Sequence, residues 1–375
     1  MRLVSRDLLV PTYAIGIIGA FMQIAGGYWD VSWHVLRLVE TFFTPAHTVL
    51  YTGVVLVLVA AILGLFMRFR VFTNQDQERH LLTGLLVVAL GSGLQLIAAP
   101  FDFWWHSNFG FDPFLFTPAH TFLIAGIILN GFGMALGSVR LLQAYRAGIS
   151  LGRFFVTSKW LQLLVIVGLT TLWLDLNSLV YLVTDVDGIA YTLHLSNDFA
   201  NQTSPVAFVA SVTALAGTGT LVFFTAKKIL AWRGAVTAVT LLSAGLSATA
   251  NLGFRAFVLA GTAIEPSRYG GVGEGSTISS FIPLYISFVV PVFLFDLLVK
   301  DSQSGWRMIL AAALVGPFAS FLDGWNSLPL WVRFSQLIPI LIVPTIVAGL
   351  IAGLSRVRFA NVLLSRKTIT TTQPR

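Results

Sequence analysis

Long apolar runs, interrupted by short charged stretches, fill most of the 375 residues. About 20 consecutive apolar residues cross a bilayer as a helix. Runs of that length lie at roughly 8–29, 47–67, 81–101, 118–142, 159–179, 205–226, 235–260, 279–299, 307–325 and 335–354. The pattern predicts an all-α, polytopic transmembrane helical bundle of about ten spans. Even-numbered runs tend to open on a proline (Pro45, Pro118, Pro205, Pro283), a residue suited to the first turn of a helix. No small-residue cleavage site follows the first run, so it is expected to stay as a span.

Composition agrees with the periodicity. Charged residues make up 10% of the chain and apolar ones 56%, with mean hydropathy +0.83; a soluble domain carries about 25% charge. The charges also segregate. With the N-terminus inside, 19 of the 23 basic residues fall on one set of loops, and Arg37, Arg255, Arg268 and Arg333 remain on the other. That opposite set carries 11 of the 16 acids. The excess of positive charge on cytoplasmic loops places the chain in an inner, cytoplasmic membrane with both termini inside. Basic loops facing anionic lipid account for the pI near 9.9, and no nucleic-acid surface is expected. Without cysteine, thiolate ligands and disulfides are excluded.

A repeat stands out against this background. Asp30-Val-Ser-Trp33-His34 leads to Phe43-Thr44-Pro-Ala-His47, and Asp102-Phe-Trp-Trp105-His106 leads to Phe116-Thr117-Pro-Ala-His120. Asp, Trp, His and an acid (Glu40, then Asp112) recur at an offset of 72, and the Phe-Thr-Pro-Ala-His phrase at 73. A weaker series, Asp30, Asp102, Asp175, Asn251 and Asp323, suggests five helical hairpins of one type. The expected organisation is a half at 1–150 with the two Asp/His hairpins. A second half, 151–375, adds hairpins without the His phrase and a short cytoplasmic tail. Polar loops at 182–204 and 262–278 are expected on the outer face, as are both Asp/His phrases. His80 and His194 lie outside any repeated phrase and read as ordinary polar positions.

On a continuous helix Asp30 and His34 share a face, as do Asp102 and His106. His47 and His120 each follow a helix-starting proline by two residues, so a tight turn brings carboxylate and imidazoles together. That donor set suits copper(II), with zinc or iron as alternatives. Thr44 and Glu40, or Thr117 and Asp112, are candidates to accept the free imidazole N–H. Trp33, Trp105, Phe43 and Phe116 are expected to shield the site from water. A bland reading competes: Trp and His belong to the membrane-interface belt, Thr-Pro starts helices, and Asp caps turns.

The Asp30-x3-His34-x12-His47 spacing, set in Glu40-Thr-Phe-Phe-Thr-Pro-Ala-His47, resembles the C subunit of particulate methane and ammonia monooxygenases, the copper membrane monooxygenase family. Asp102-x3-His106 and Thr117-Pro-Ala-His120 resemble that family's later Asn-x3-His and Ala-Pro-Leu-His phrases. The resemblance implies Asp30, His34 and His47 as ligands of one copper position. It implies His47 with Asp102 and His106 as a neighbouring alternative, with His120 behind them. It covers about residues 25–145, and Asp102 stands where the family has Asn. By resemblance the function would be O2-dependent oxidation of a small apolar or amine substrate, with further membrane subunits as candidate partners beside the bilayer. A non-enzymatic metal-binding or structural subunit, or a repeat-built permease, is the alternative.

Overall fold

The computed structural model describes residues 2–35, 43–71, 79–109, 117–152, 156–178, 205–261, 281–298, 306–307, 309–315 and 338–364. They are helical almost throughout, with no strand among them. The long helices are α1 (Arg2–Val35), α2 (Pro45–Phe66), α3 (Thr83–Phe109), α4 (Pro118–Arg146), α5 (Ser158–Asn177), α6 (Pro205–Leu230), α7 (Ala235–Gly261), α8 (Phe281–Leu298) and α9 (Ile338–Leu363).

Six segments are long and apolar enough to cross a membrane: Asp7–Asp30, Pro45–Arg70, His80–Phe109, Pro118–Arg146, Ser158–Asn177 and Ile342–Leu363. The chain is therefore a multi-pass, all-helical membrane protein. Helices α6, α7 and α8 lie where three further spans were expected. The last span sits several residues later than the hydropathy pattern placed it. Of the expected ninth span, only short helical pieces at 306–307 and 309–315 fall within the described residues.

Helices α2 and α4 start as their prolines dictate. Pro45 and Pro118 occupy the first turn, following Thr44 and Thr117 in extended conformation. Each then packs antiparallel against the helix before it, α2 on α1 and α4 on α3. In a membrane, close approach of backbones through small residues supplies much of helix association. Gly19 of α1 faces Gly53 of α2, and a Cβ on either would sit 2.6–2.8 Å from the other's carbonyl oxygen. Gly91 of α3 faces Gly126 of α4 in the same way, at 2.7 Å both ways. The two glycine pairs are related by the same offsets, 72 and 73, as the Asp/His phrases.

The two hairpins are also paired with each other by an approximate two-fold axis. Tyr13 of α1 packs over Gly137 of α4, and Leu85 of α3 packs over Gly64 of α2. Position 13 corresponds to 85 and position 64 to 137, so these contacts are exchanged copies of one another. A simple translational stack of hairpins would not produce that exchange. Gln23 and Gln95, again 72 apart, meet on the axis and trade amide hydrogen bonds of 3.2 and 3.0 Å. Asn130 Nδ2 donates to both, at 2.9 Å to Gln95 Oε1 and 3.4 Å to Gln23 Oε1. All three side chains are buried. Because α1 and α3 run in the same direction, the axis lies along the bundle.

Buried amides of this kind hold the two hairpins in register, since an unpaired one costs about 1–3 kcal/mol. Gln95→Leu is expected to lower stability by about that amount, because it strips Gln23 and Asn130 of a partner. Thermal unfolding in detergent checks it; an unchanged midpoint would remove the amide cluster from the forces joining the hairpins.

The opposite end of the bundle is tied by cations. Arg140 Nη1 donates to His80 O at 3.1 Å, and Arg146 donates to Ile229 O and Leu230 O at 2.8 and 3.2 Å. Lys227 Nζ lies 2.7 Å from Asp296 Oδ1, with both side chains buried. Asp296 Oδ2 accepts from Thr237 N and Oγ1 at 3.2 and 3.0 Å, so one carboxylate caps the first turn of α7 and joins α6, α7 and α8.

Candidate metal centre

Both Asp/His phrases lie at the end of the bundle remote from these cations, and each hairpin brings its own pair together. In the first, His47 Nε2 is 3.0 Å from Asp30 Oδ1. In the second, His120 Nε2 is 3.2 Å from Asp102 Oδ1. His106, one turn beyond Asp102, places its Nε2 3.6 Å from the same oxygen. Aspartate and histidines are partly buried in both hairpins.

In the second hairpin, one ligand atom from each of Asp102, His106 and His120 falls within 4.8 Å of the others. The His106 and His120 rings are 5.6 Å apart and inclined at 57°. Ligands bound at about 2.0–2.1 Å on a tetrahedral ion stand about 3.4 Å from each other. The separations of 3.2 and 3.6 Å from Asp102 Oδ1 are close to that span, and all three ligand atoms lie within 4.8 Å of one another. The donor set, one carboxylate and two imidazoles, is that of a borderline divalent ion.

The outer nitrogen of His120 is occupied too. Thr117 Oγ1 lies 3.2 Å from His120 Nδ1 and accepts from the His120 backbone N–H at 3.4 Å. The tautomer sets the direction of this bond: with Nε2–H facing Asp102, Thr117 donates to Nδ1, and with a metal on Nε2, Nδ1–H would donate to Thr117. The hydroxyl caps the helix and can serve as the outer partner of His120 when Nε2 binds a metal.

The equivalent arrangement is not made in the first hairpin. Thr44 Oγ1 is buried without a hydrogen-bond partner among the described residues, so the expected Thr44–His47 contact is corrected. His47 stacks instead on Tyr51, one turn along α2, with ring centres 5.6 Å apart. Helix α1 continues through position 34, one turn past Asp30, which matches the place of His106 relative to Asp102. The side chains of His34 and Trp33, and all of Glu40, Asp112 and Phe116, lie outside the described residues.

Two further expectations change in detail. The group around Asp102 and His106 is completed by His120 of the same hairpin, whereas the resemblance implied His47 there and His120 behind. Phe43 is 76% exposed, which removes it from the shield around the site. Trp105 is half-buried and packs on Phe109 and Phe101, with ring centres 4.5 and 6.2 Å away. The first hairpin is anchored elsewhere: Trp29 Nε1 donates to Ala250 O of α7 at 2.8 Å.

The third aspartate of the series behaves differently from the first two. The carboxylate of Asp175 rests on Gly131 of α4. Gln23, Gln95 and Asn130 belong to none of the expected sites, although the first two repeat at the offset of the Asp/His phrases.

Helical hairpins in a multi-pass bundle, with paired carboxylate and imidazole groups at one end, define a membrane protein with a candidate metal centre. Comparison with protein-family models, with characterised proteins and with solved structures gives no match.

Proposed function

We propose that the two hairpins carry twin metal sites, and that the protein is a copper-binding membrane subunit serving O2-dependent oxidation of a small apolar or amine substrate. The observation that carries the proposal is the convergence of Asp102, His106 and His120 ligand atoms within 4.8 Å. Asp30 and His47, with His34 one turn beyond Asp30, are the counterpart set in the first hairpin. Among first-row divalent ions such a donor set favours copper, with zinc or iron the alternatives. Copper held there would supply the chemistry of oxygen activation.

The chain's own residues do the rest. Asp102 would contribute a negative charge that a neutral ligand lacks, and His106 and His120 would supply imidazole nitrogens to the ion. Thr117 would accept the Nδ1 proton of His120 and so orient the ring toward a metal on Nε2. Around the outer ends of α3 and α4, Phe103, Trp104, Phe109 and Phe122 are exposed, the residue types enriched where a protein meets the membrane interface. Such a fringe lets an apolar substrate approach from the bilayer. The site belongs to the outer face of a ten-span bundle in an inner membrane, on the charge asymmetry of the loops. Further membrane subunits are candidate partners.

The two-fold relation of the hairpins favours a second reading, since permeases are also built from repeats related by an axis along the membrane normal. Elemental analysis of the purified protein, with oxidation assays on alkane, alcohol and amine substrates, separates the two. Stoichiometric copper with oxidation supports the enzyme; metal-independent flux across proteoliposomes supports the permease. Absence of copper, zinc and iron at any loading condition would end the metal reading.

The unequal threonines supply a sharper check. Thr117→Val is expected to weaken metal binding about 10–100-fold, the usual cost of losing a partner to a ligating histidine. Thr44→Val is expected to leave it unchanged. Competition titration measures both, and equal effects would contradict the role given to Thr117.

A further inference from the structure

One ionisable group in the membrane-spanning bundle lies apart from both the Asp/His sites and the cationic ties. Asp175 is in the last turn of α5, with no exposed surface, and neither carboxylate oxygen has a hydrogen-bond partner among the described residues. Its Oδ2 occupies the space that a side chain at Gly131 of α4 would need, so the absence of a Cβ there is what admits the carboxyl group.

The helices packed on α5 are α4, α6, α7 and α1. Their described ionisable side chains are committed elsewhere or distant in sequence from the contact. On α4, His120 is engaged with Asp102 and Thr117, Arg140 with His80 O, and Arg146 with the end of α6; Tyr145 lies four turns past Gly131. On α6, Lys227 is bound to Asp296, and Lys228 lies in the same terminal turn. On α1, Tyr13 donates to Leu81 O and Asp30 pairs with His47, while Asp7 and Tyr28 make no hydrogen bond to Asp175. Arg2, Arg6 and His34 of α1 and Arg255 of α7 have their side chains outside the described residues. No described cation therefore balances a charge on Asp175.

An isolated carboxylate in such surroundings is strongly disfavoured, and intramembrane carboxyl groups that persist there mark proton or ion sites. A metal ion or sodium would need several oxygen ligands and room for them. Among the described residues, the one group of three acidic or imidazole ligands is at Asp102, and Asp175 Oδ2 lies directly against Gly131 of α4. A proton needs neither. We infer that Asp175 is a proton-binding site, a neutral carboxylic acid sealed between α5 and the α3–α4 hairpin. Releasing the proton requires water to reach oxygens that have no exposed surface, one of which lies against Gly131. Proton exchange at Asp175 is thereby coupled to that helix contact.

Infrared spectroscopy of the full-length protein in lipid tests this through the carbonyl stretch of a protonated carboxylic acid, which lies above the amide I band. The expected result is a band in the wild type at neutral pH that disappears in Asp175→Asn and persists when the wild type is moved to alkaline buffer. Asp175→Leu, a second neutral variant, serves if the asparagine form does not fold. Identical wild-type and variant spectra in this region would overturn the inference, as would loss of the band on mild alkalinisation of the closed protein. A folded, unchanged helical content in the variant excludes unfolding as the cause of the missing band.

Discussion

Replacing His120 with alanine is expected to empty the second hairpin of metal. His120 comes from α4, whereas Asp102 and His106 both come from α3, so its loss leaves two ligands on one helix and none across from them. The affinity loss should exceed the ~10–100-fold that follows removal of a mere outer partner. Equilibrium metal content and a competition titration with copper and zinc measure it. The same experiment distinguishes twin sites from a shared one. Because Asp30 pairs with His47 inside the first hairpin, His47→Ala is expected to remove only the first hairpin's metal. If either substitution emptied both hairpins, a single centre spanning the two-fold axis would replace the twin sites. If neither altered metal content, the assignment of ligands would fall.

Asp296→Ala is expected to produce the largest loss of stability. The carboxylate meets Lys227 at 2.7 Å, also caps α7 through Thr237, and both charged groups are buried. Removing one partner leaves an uncompensated buried ammonium and an uncapped helix start, a cost of about 3–5 kcal/mol. Replacing both, Lys227→Met with Asp296→Leu, is expected to recover most of that loss, since a well-packed apolar pair avoids the desolvation penalty. Thermal or denaturant unfolding in detergent reads both variants. A double variant as unstable as the single one would show that the cap on Thr237, and not the buried charge, dominates.

Much of this architecture is legible along the chain. Apolar runs and the prolines at 45 and 118 place the helices of the first two hairpins, because backbone hydrogen bonding and proline geometry act locally. The Asp/His phrases are legible for the same reason, since i and i+4 on a helix are neighbours by construction. Thr44 and Thr117 look identical in their phrases, yet only Thr117 reaches its histidine. That difference arises from how each hairpin packs, and no local pattern reports it. Gln23 and Gln95 carry a signal that was available, polar residues in apolar runs at the repeat offset. Their meaning depends on a two-fold contact that brings them face to face. Asp175 fits the aspartate series by spacing but packs on the preceding hairpin, so the five-hairpin regularity does not extend to its side-chain contacts.

What the linear order determined is a chain of membrane-spanning helices whose carboxylates and imidazoles recur at one end, because helical periodicity and the expulsion of apolar surface from water operate within each segment. Which histidine completes which group, which threonine lies beside it, and where an aspartate is buried against a glycine were decided only by assembly. Those outcomes rest on the rotation and separation of helices, set by contacts such as Gly91 on Gly126 and Gln23 on Gln95 between residues far apart in the chain.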